Sequence, residues 1–364
     1  MKEVNVYNKR MKIVEGKGAY IWDEEGNRYF DALTGIGVAI LGHKNEKVMN
    51  ALKKQVEKLV VAGPMFTHEE KGEFFTELER HICFDYSFIS NSGTEAVEAA
   101  IKFARLKTGK KRIISMTNAF HGRTLGSLSA TWKQKYKKGF EPLVDGFDHI
   151  PFNDIEKAKE EINDETAAVI LEPIQGQSGI IPAEQGFIEA VRDLTRDKEA
   201  LLIDDEIQSG LRTGEFLAID HYDIEPDIVT MGKGLANGVP IGLTMCNFDI
   251  PKGKHGSTFG GNPLACKAAA ATLRAIEEKG LIEKISKKSI DFECDEVIKT
   301  RGRGLIKGAI MQKTVDEYMP ELEKEGIITG VSGNRIIRFL PPLTSTEEQM
   351  TWLKEKFEEI TDGI

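Results

Sequence analysis

Lys233 stands in a Gly-Lys-Gly step directly after the apolar run of IVTMGKG. Upstream, in LLIDDEIQSG, Asp205 closes another apolar run. A lysine and a carboxylate at two neighbouring strand ends suit one chemistry above others. The amine can form a Schiff base with an aldehyde cofactor, and the carboxylate can hold that cofactor's ring nitrogen protonated. Pyridoxal 5′-phosphate (PLP) is the cofactor such a pair would serve. A lysine between glycines is also an ordinary solvated turn residue, so the rest of the chain has to decide.

Five further segments bear on that choice. In NSGTEAVEAAIKFAR, Ser92, Gly93 and Thr94 lie between an apolar run and a helical pattern. The unpaired N–H groups and dipole of a helix start make such a junction an anion site. Plain N-capping by Ser92 or Thr94 is the simpler alternative. In NAFHGRT, Phe120 could stack on a flat ring, Arg123 could fork onto a carboxylate, and His121 could act as a base or merely pack. In LLIDDEIQSG, adjacent Asp204 and Asp205 must face opposite sides of a strand, and Gln208 could donate to a phenolate oxygen. The Gly, Ser and Thr content of GKHGSTFGGNP suits a loop around a phosphate, or a flexible lead-in to the helix that follows. In NRIIRFLPPL, Arg338 interrupts an apolar strand, so it is either paired or a carboxylate anchor. GIGVAILG is a decoy: Ile40 takes the third glycine position of a dinucleotide fingerprint, and no strand-helix frame surrounds it.

The elements that must position these residues alternate. SFISNS, RIISM, AAVILEP, ALLIDDE, IVTMG and GLTMCNF read as strands. GTEAVEAAIKFARLK and GFIEAVRDLTR read as helices between them. Continuous apolar runs alternating with helices predict a mostly parallel sheet buried on both faces. NPLACKAAAATLRAIEEKG is a long helix ending at Gly280. GAYIWDEEGNRYFDALTG predicts a hairpin around EEGN that joins a smaller C-terminal unit. The 364 residues carry a net charge of −9, from 49 Lys and Arg against 58 Asp and Glu. With no basic stripe, nonspecific nucleic-acid binding is disfavoured. The four cysteines form no C-x-x-C pair, which argues for buried thiols rather than disulfides or a metal site. The N-terminal MKEVNVYNKRMK has no apolar h-region, so no signal peptide is expected, and no run approaches a membrane span. A cytoplasmic protein with no bound metal is expected.

Taken together and in this order, SGTEA, FHGRT, EPIQG, DEIQ, GKG and GSTFGGNP resemble the class III (subgroup II) PLP-dependent aminotransferases. The likeness is to the acetylornithine branch with its N-acyl-lysine and carrier-bound-lysine relatives, and runs from about Ala19 to Pro342. The resemblance implies an α/β fold, the fold type I of PLP-dependent transferases. A large, mostly parallel-sheet domain would span 45–265, and a smaller α+β domain would combine 1–44 with 266–364. Lys233 would be the Schiff-base lysine and proton shuttle, and Asp205, not Asp204, the partner of the pyridine nitrogen. Gln208 would bond the phenolic oxygen, and Ser92, Gly93 and Thr94 would hold the phosphate. Phe120, with His121 beside it, would line the ring. Thr258 would reach the phosphate of a second subunit, making a homodimer with shared sites. Arg123 would bind a substrate carboxylate, and Arg338 the α-carboxylate of glutamate and 2-oxoglutarate.

The implied reaction moves the terminal amine of an N-acylated diamino acid, N-acetylornithine or an N-acyl-lysine, to 2-oxoglutarate, in arginine or lysine biosynthesis. An acidic amino-group carrier protein could present that amine. Ile36 occupies the position where ornithine enzymes carry a tyrosine for a free α-amine, and an apolar residue there favours acylated donors. Three features depart from the family pattern. Gln177 replaces the usual glutamate partner of Arg338. QSGLRTG is one glycine short before Arg212. The stretch from Ile285 to Arg303 is trimmed. Competing readings are another ω-aminotransferase of the 4-aminobutyrate or ornithine type, an aminomutase, and a non-catalytic binding protein of the same fold. A metal-dependent lyase built on Asp204, Asp205 and Glu206 is the remaining alternative.

Overall fold

The apolar runs of the middle of the chain form one seven-stranded sheet in this computed structural model, which describes residues 1, 4, 6 and 10–364. The N-terminal stretch read for a leader lies largely outside the described residues. The strands are β1 (Tyr86–Ser90), β2 (Arg112–Met116), β3 (Phe147–Ile150), β4 (Thr166–Leu171), β5 (Leu201–Asp205), β6 (Ile228–Met231) and β7 (Gly242–Cys246). Their spatial order is β1-β7-β6-β5-β4-β2-β3. The run from β6 to β3 is parallel throughout, while β7 is antiparallel to both β6 and β1. Strands β4, β6 and β7 are buried along their whole length. That is why they read as continuous apolar runs rather than as alternating ones.

Helix α1 (Gly93–Thr108) packs on β7, β6 and β1. It buries Ala96, Val97, Ala100, Ile101 and Ala104 at helical spacing. The Ser92 side chain caps its start by accepting from the Glu95 N–H, and Gly109 ends it with φ +70°. Helix α2 (Pro263–Glu278) starts with Asn262 as N-cap and Pro263 in its first turn. Its run of buried alanines lets it lie against the helices Glu46–Lys58 and Glu69–Leu78 and against the turn that begins at Lys233.

The hairpin expected around EEGN is present, pairing Tyr20–Asp23 with Arg28–Asp31. Ile327–Ile328 adds to it in parallel, so the N-terminal strands do join the C-terminal unit. A second sheet in that unit pairs Val297–Arg303, Ile306–Met311, Ile336–Phe339 and Gly330–Val331. Phe292, Phe339 and Phe357 pack together there with ring centroids 4.5–5.1 Å apart. Among the described residues, no helix is long and apolar enough to cross a membrane.

Candidate active site

Five strand ends of the large sheet converge, at the carboxyl edge where parallel sheets present their sites. Asp205 is the last residue of β5. Its side chain is buried and held from three directions. Oδ2 lies 2.6 Å from Nδ1 of His121, and Oδ1 accepts from the Ile207 N–H at 3.1 Å and from the Thr230 hydroxyl at 3.3 Å. With Asp205 ionised, His121 donates through Nδ1–H. Its own N–H donates to Thr131 Oγ1 at 2.9 Å, which fixes the ring's position. His121 Nε2 is buried without a partner among the described residues.

Asp204 is just as buried but faces the other side of the sheet, and among the described residues neither of its oxygens has a hydrogen-bond partner. Burial, and then the neighbouring carboxylates of Glu206 and Asp205, push its pKa well above the ordinary carboxylate range. Burial likewise raises Glu206 to about 7, although Ser209 and the Ile219 N–H stabilise its charge. A cluster of carboxylates that favours protons is a poor metal cage, and it lies on the opposite face from Lys233.

Lys233 follows the end of β6 after Gly232 and adopts φ +41°, a left-handed turn that swings its side chain back over the sheet edge. Nζ donates to Gln208 Oε1 at 2.9 Å. Burial above all, with the Arg338 charge next, lowers its pKa to about 8, against the opposing pull of Asp205 and Glu172. Gln208 keeps a buried Nε2 without a partner.

The end of β4 supplies a residue that sequence reasoning left unassigned. Glu172, of EPIQG, accepts from the Phe120 N–H at 2.9 Å and the Gly176 N–H at 3.1 Å. It therefore fixes the backbone that presents Phe120. Its pKa is raised, chiefly by burial. The motif was visible, but its two partners come from chain segments that only the fold brings to it.

At the end of β1, the N–H groups of Gly93 and Thr94 sit in the first turn of α1 and have no intrahelical acceptor. A Cβ on Gly93 would stand 2.8 Å from methyl carbons of Ile207, so the glycine is required by packing as well as by any ligand. Thr94 Oγ1 contacts Thr124 Oγ1 at 2.9 Å and Ser127 Oγ at 2.6 Å, closing the β2 loop over the helix start.

Arg338 is buried, donating from Nη1 to Gly176 O at 3.0 Å and to Gln177 Oε1 at 3.2 Å, with Nε unpaired. Burial lowers its pKa to about 10, opposed by Glu172. Arg123 lies exposed at the mouth, its guanidinium carbon 3.9 Å from the centroid of the Tyr136 ring and 5.6 Å from that of Phe120. Ile36 belongs to a run, Thr34 to Gly37, in which every φ lies between 52° and 80°. A β-branched residue there costs about 1–3 kcal/mol of strain. The run is held by Thr34 donating to Leu340 O at 2.8 Å and by buried Arg212 bonding Thr34 Oγ1 and Pro341 O. A Cβ on Gly37 would stand 2.5 Å from Gln208 Nε2, so Ile36 is one residue from the Gln208 contact. Thr258 stands apart, exposed on a loop whose neighbour Ser257 bonds Asn91 at 3.1 Å.

The residues fit pyridoxal phosphate. A half-buried amine, a gripped carboxylate, an amide whose Nε2 has no partner among the described residues, and helix-start N–H groups stand at neighbouring strand ends, as a Schiff base, a pyridinium, a phenolate and a phosphate require. Fold and site thus define a PLP-dependent enzyme of fold type I. A model of the class-III aminotransferases matches residues 1–361, and the chain belongs to that family. It is an aminotransferase, and its cofactor is pyridoxal phosphate.

The chain is 42% identical to a LysW-aminoadipate semialdehyde/glutamate semialdehyde transaminase from Sulfolobus acidocaldarius, over 96% of this chain and 95% of that one. A Pyrococcus abyssi protein given the same transaminase name is 60% identical over 99% of both chains. An acetylornithine aminotransferase from Methanocaldococcus jannaschii is 42% identical, over 97% of this chain and 94% of its own length. Among solved structures, ornithine aminotransferase from Toxoplasma gondii superposes with a TM-score of 0.93 at 31% identity, covering 99% of this chain and 91% of that one.

Proposed function

We propose that the protein transfers the terminal amine of an N-acylated diamino acid, an N-acetylornithine or N-acyl-lysine type of donor, to 2-oxoglutarate. The observation that carries this reading is the pairing of Lys233 and buried, His121-held Asp205 at adjacent strand ends, with Arg338 and Arg123 in no salt bridge among the described residues. Relatives named for LysW-linked semialdehydes and for acetylornithine support the donor class.

Pyridoxal phosphate, when bound, supplies an electron-withdrawing ring that makes the carbon bearing the amine acidic. Asp205 would pair with the ring nitrogen, and His121 holds its carboxylate in place. The helix-start N–H groups of Gly93 and Thr94 hold the phosphate. Gln208 Nε2 would be the donor to the phenolic oxygen. Lys233 Nζ, its pKa lowered to about 8 chiefly by burial, would be a base of suitable strength to take a proton from the donor and return it. Arg123 orients the donor's carboxylate. Arg338 receives a carboxylate of 2-oxoglutarate, and Gln177 holds its guanidinium without cancelling its charge. Ile36 leaves no partner for a free α-ammonium. Ile36 is exposed in the single chain, so the penalty applies where a second subunit covers it; an unpaired buried polar group then costs about 1–3 kcal/mol, which predicts roughly ten- to a hundredfold preference for acylated donors.

The working unit is a homodimer in the cytoplasm. The exposed side chains of Met65, Phe66 and Phe259 support a partner surface, and His68 Nε2 to Gly261 O at 2.8 Å joins the two segments that bear them. Thr258 on that loop would then serve the neighbouring subunit's phosphate. An acidic carrier protein is a second way to present the amine. The contacts of α2 favour a domain division after Glu278 rather than at residue 265. The test is a donor panel with 2-oxoglutarate, together with borohydride fixation of the cofactor and peptide mapping. Cofactor found on a lysine other than Lys233 refutes the site. Ornithine equal to its acylated forms in kcat/KM refutes the donor class.

A further inference from the structure

Arg212 is buried to 1% exposure, yet the reading above gives it no part in recognition. Both of its side-chain hydrogen bonds among the described residues go to neutral acceptors. Nη1 donates to Pro341 O at 2.9 Å, and Nη2 to Thr34 Oγ1 at 3.3 Å. Burial lowers its pKa to about 10, opposed by the charge of Asp31. The Asp31 carboxylate is itself occupied, by the Leu33 and Thr34 N–H groups and by His43 Nε2 at 2.8 Å. A guanidinium buried against neutral oxygens is costly, and what it offers over a smaller residue is a rigid fork with two reaches.

The two reaches end on one segment. Thr34 Oγ1 donates to Leu340 O at 2.8 Å, so Arg212 holds Pro341 O directly and Leu340 O through Thr34. These two carbonyls directly follow the strand Ile336–Phe339, which carries Arg338. At its other end, Arg212 stands four residues beyond Gln208 on the loop after β5, and its own carbonyl accepts from the Leu305 N–H at 2.8 Å. Gly37 packs on that loop as well: a Cβ there would stand 2.5 Å from Gln208 Nε2 and 3.7 Å from Arg212 Nε. Arg338 is tied only through Nη1, to Gly176 O and Gln177 Oε1, so its place depends heavily on its strand. We propose that Arg212 is a positioning residue for carboxylate recognition: its fork, with Thr34, fixes the end of the Arg338 strand against the Gln208 loop and so sets where glutamate and 2-oxoglutarate are received. This deepens the reading of Arg338 as the anchor and rests on it.

The test follows glutamate alone with the holoenzyme in stopped flow, which needs no amine donor and reads half-saturation and limiting rate separately. Arg212→Lys keeps the charge but loses the fork, and Thr34→Val removes the hydroxyl while keeping the shape. Each should raise the half-saturating glutamate concentration about tenfold, the scale of one lost hydrogen bond to a charged group, and change the limiting rate by no more than about threefold. Thr34→Ser, which keeps the hydroxyl, should stay near wild type. Hydrogen exchange on the same proteins gives a readout apart from turnover. It should quicken in the segments 33–40 and 336–343 and stay unchanged in β4. An unchanged half-saturation, a loss confined to the limiting rate, or exchange that quickens across the whole large sheet would overturn the proposal. Arg338→Ala is the reference variant. A normal half-saturation there would refute the anchor and the Arg212 proposal with it; a raised one beside normal Arg212→Lys and Thr34→Val would refute Arg212 alone.

Discussion

The amine of Lys233 must be neutral to act, and its surroundings predict how much of it is. With a pKa of about 8, about 10% of the amine is free at pH 7. At the ordinary lysine value of 10.5, the free fraction would be about 0.03%, so the site raises it about 300-fold. Trace acetylation of the cofactor-free protein with acetic anhydride, followed by peptide mapping across pH 6–11, reads this directly. Labelling of the Lys233 peptide should follow a titration with its midpoint near 8. Arg338→Leu should move that midpoint upward, because the Arg338 charge is second only to burial in lowering it. The same shift has a stability consequence. Below pH 8 both the folded and unfolded chains hold the proton. Between about 8 and 10.5 the unfolded chain binds it and the folded one does not, so stability of the cofactor-free protein rises with pH across that window. A midpoint at 10 or above, or a downward movement in Arg338→Leu, would refute the assignment of Lys233 to a buried, cation-flanked site.

Asp205→Asn should lower kcat by about a hundredfold or more, since an amide cannot hold a pyridinium; Asp204→Asn, on the other face of the sheet, should cost far less, and equal losses would show that the wrong carboxylate was chosen. Thr258→Ala should release cofactor faster on dialysis and on dimer dissociation, while fully loaded enzyme keeps its turnover. In stopped-flow half-reactions, Arg338→Ala should slow the 2-oxoglutarate half more than the donor half, and Gln177→Glu should weaken 2-oxoglutarate binding by giving Arg338 a competing charge. Phe339→Ala, opening the Phe292 and Phe357 cluster, should lower unfolding free energy by about 3–5 kcal/mol, measured by urea denaturation.

The strands that carry the site were legible because both of their faces are covered, which leaves unbroken apolar runs such as AAVIL and IVTM. Phe147–Ile150 and Val297–Arg303 were not, because FDHI and VIKTRGR are half polar and owe their pairing to neighbours in space. The helices Glu46–Lys58 and Glu69–Leu78 were passed over in the same way, their partner α2 lying far along the chain. Within the site, Lys233, Asp205 and the Ser92 junction stand at strand ends, where sequence order alone points to them. Glu172 and Tyr136 act through contacts with Phe120 that cross chain segments, so no local pattern names them. Strand alternation says only that Asp204 and Asp205 face opposite sides, and the preference for Asp205 rests on the family resemblance.

The antiparallel strand β7 has a consequence for the order in which the molecule can be made. It sits between β1 and β6, and pairs Ser90 with Gly242. A chain leaving the ribosome N-terminus first therefore holds β1 and the Ser92 junction with no place in the sheet until residues beyond Lys233 have emerged. Loop closure over such a separation is slow, and an unpaired strand edge waits in the meantime. The phosphate end and the lysine end of the site are joined by a single late event, so a nascent or truncated chain lacking β7 has Ser92, Asp205 and Lys233 and no sheet to bring them together. Fragments ending before Gly242 should accordingly be recognised by proteases and chaperones rather than by cofactor.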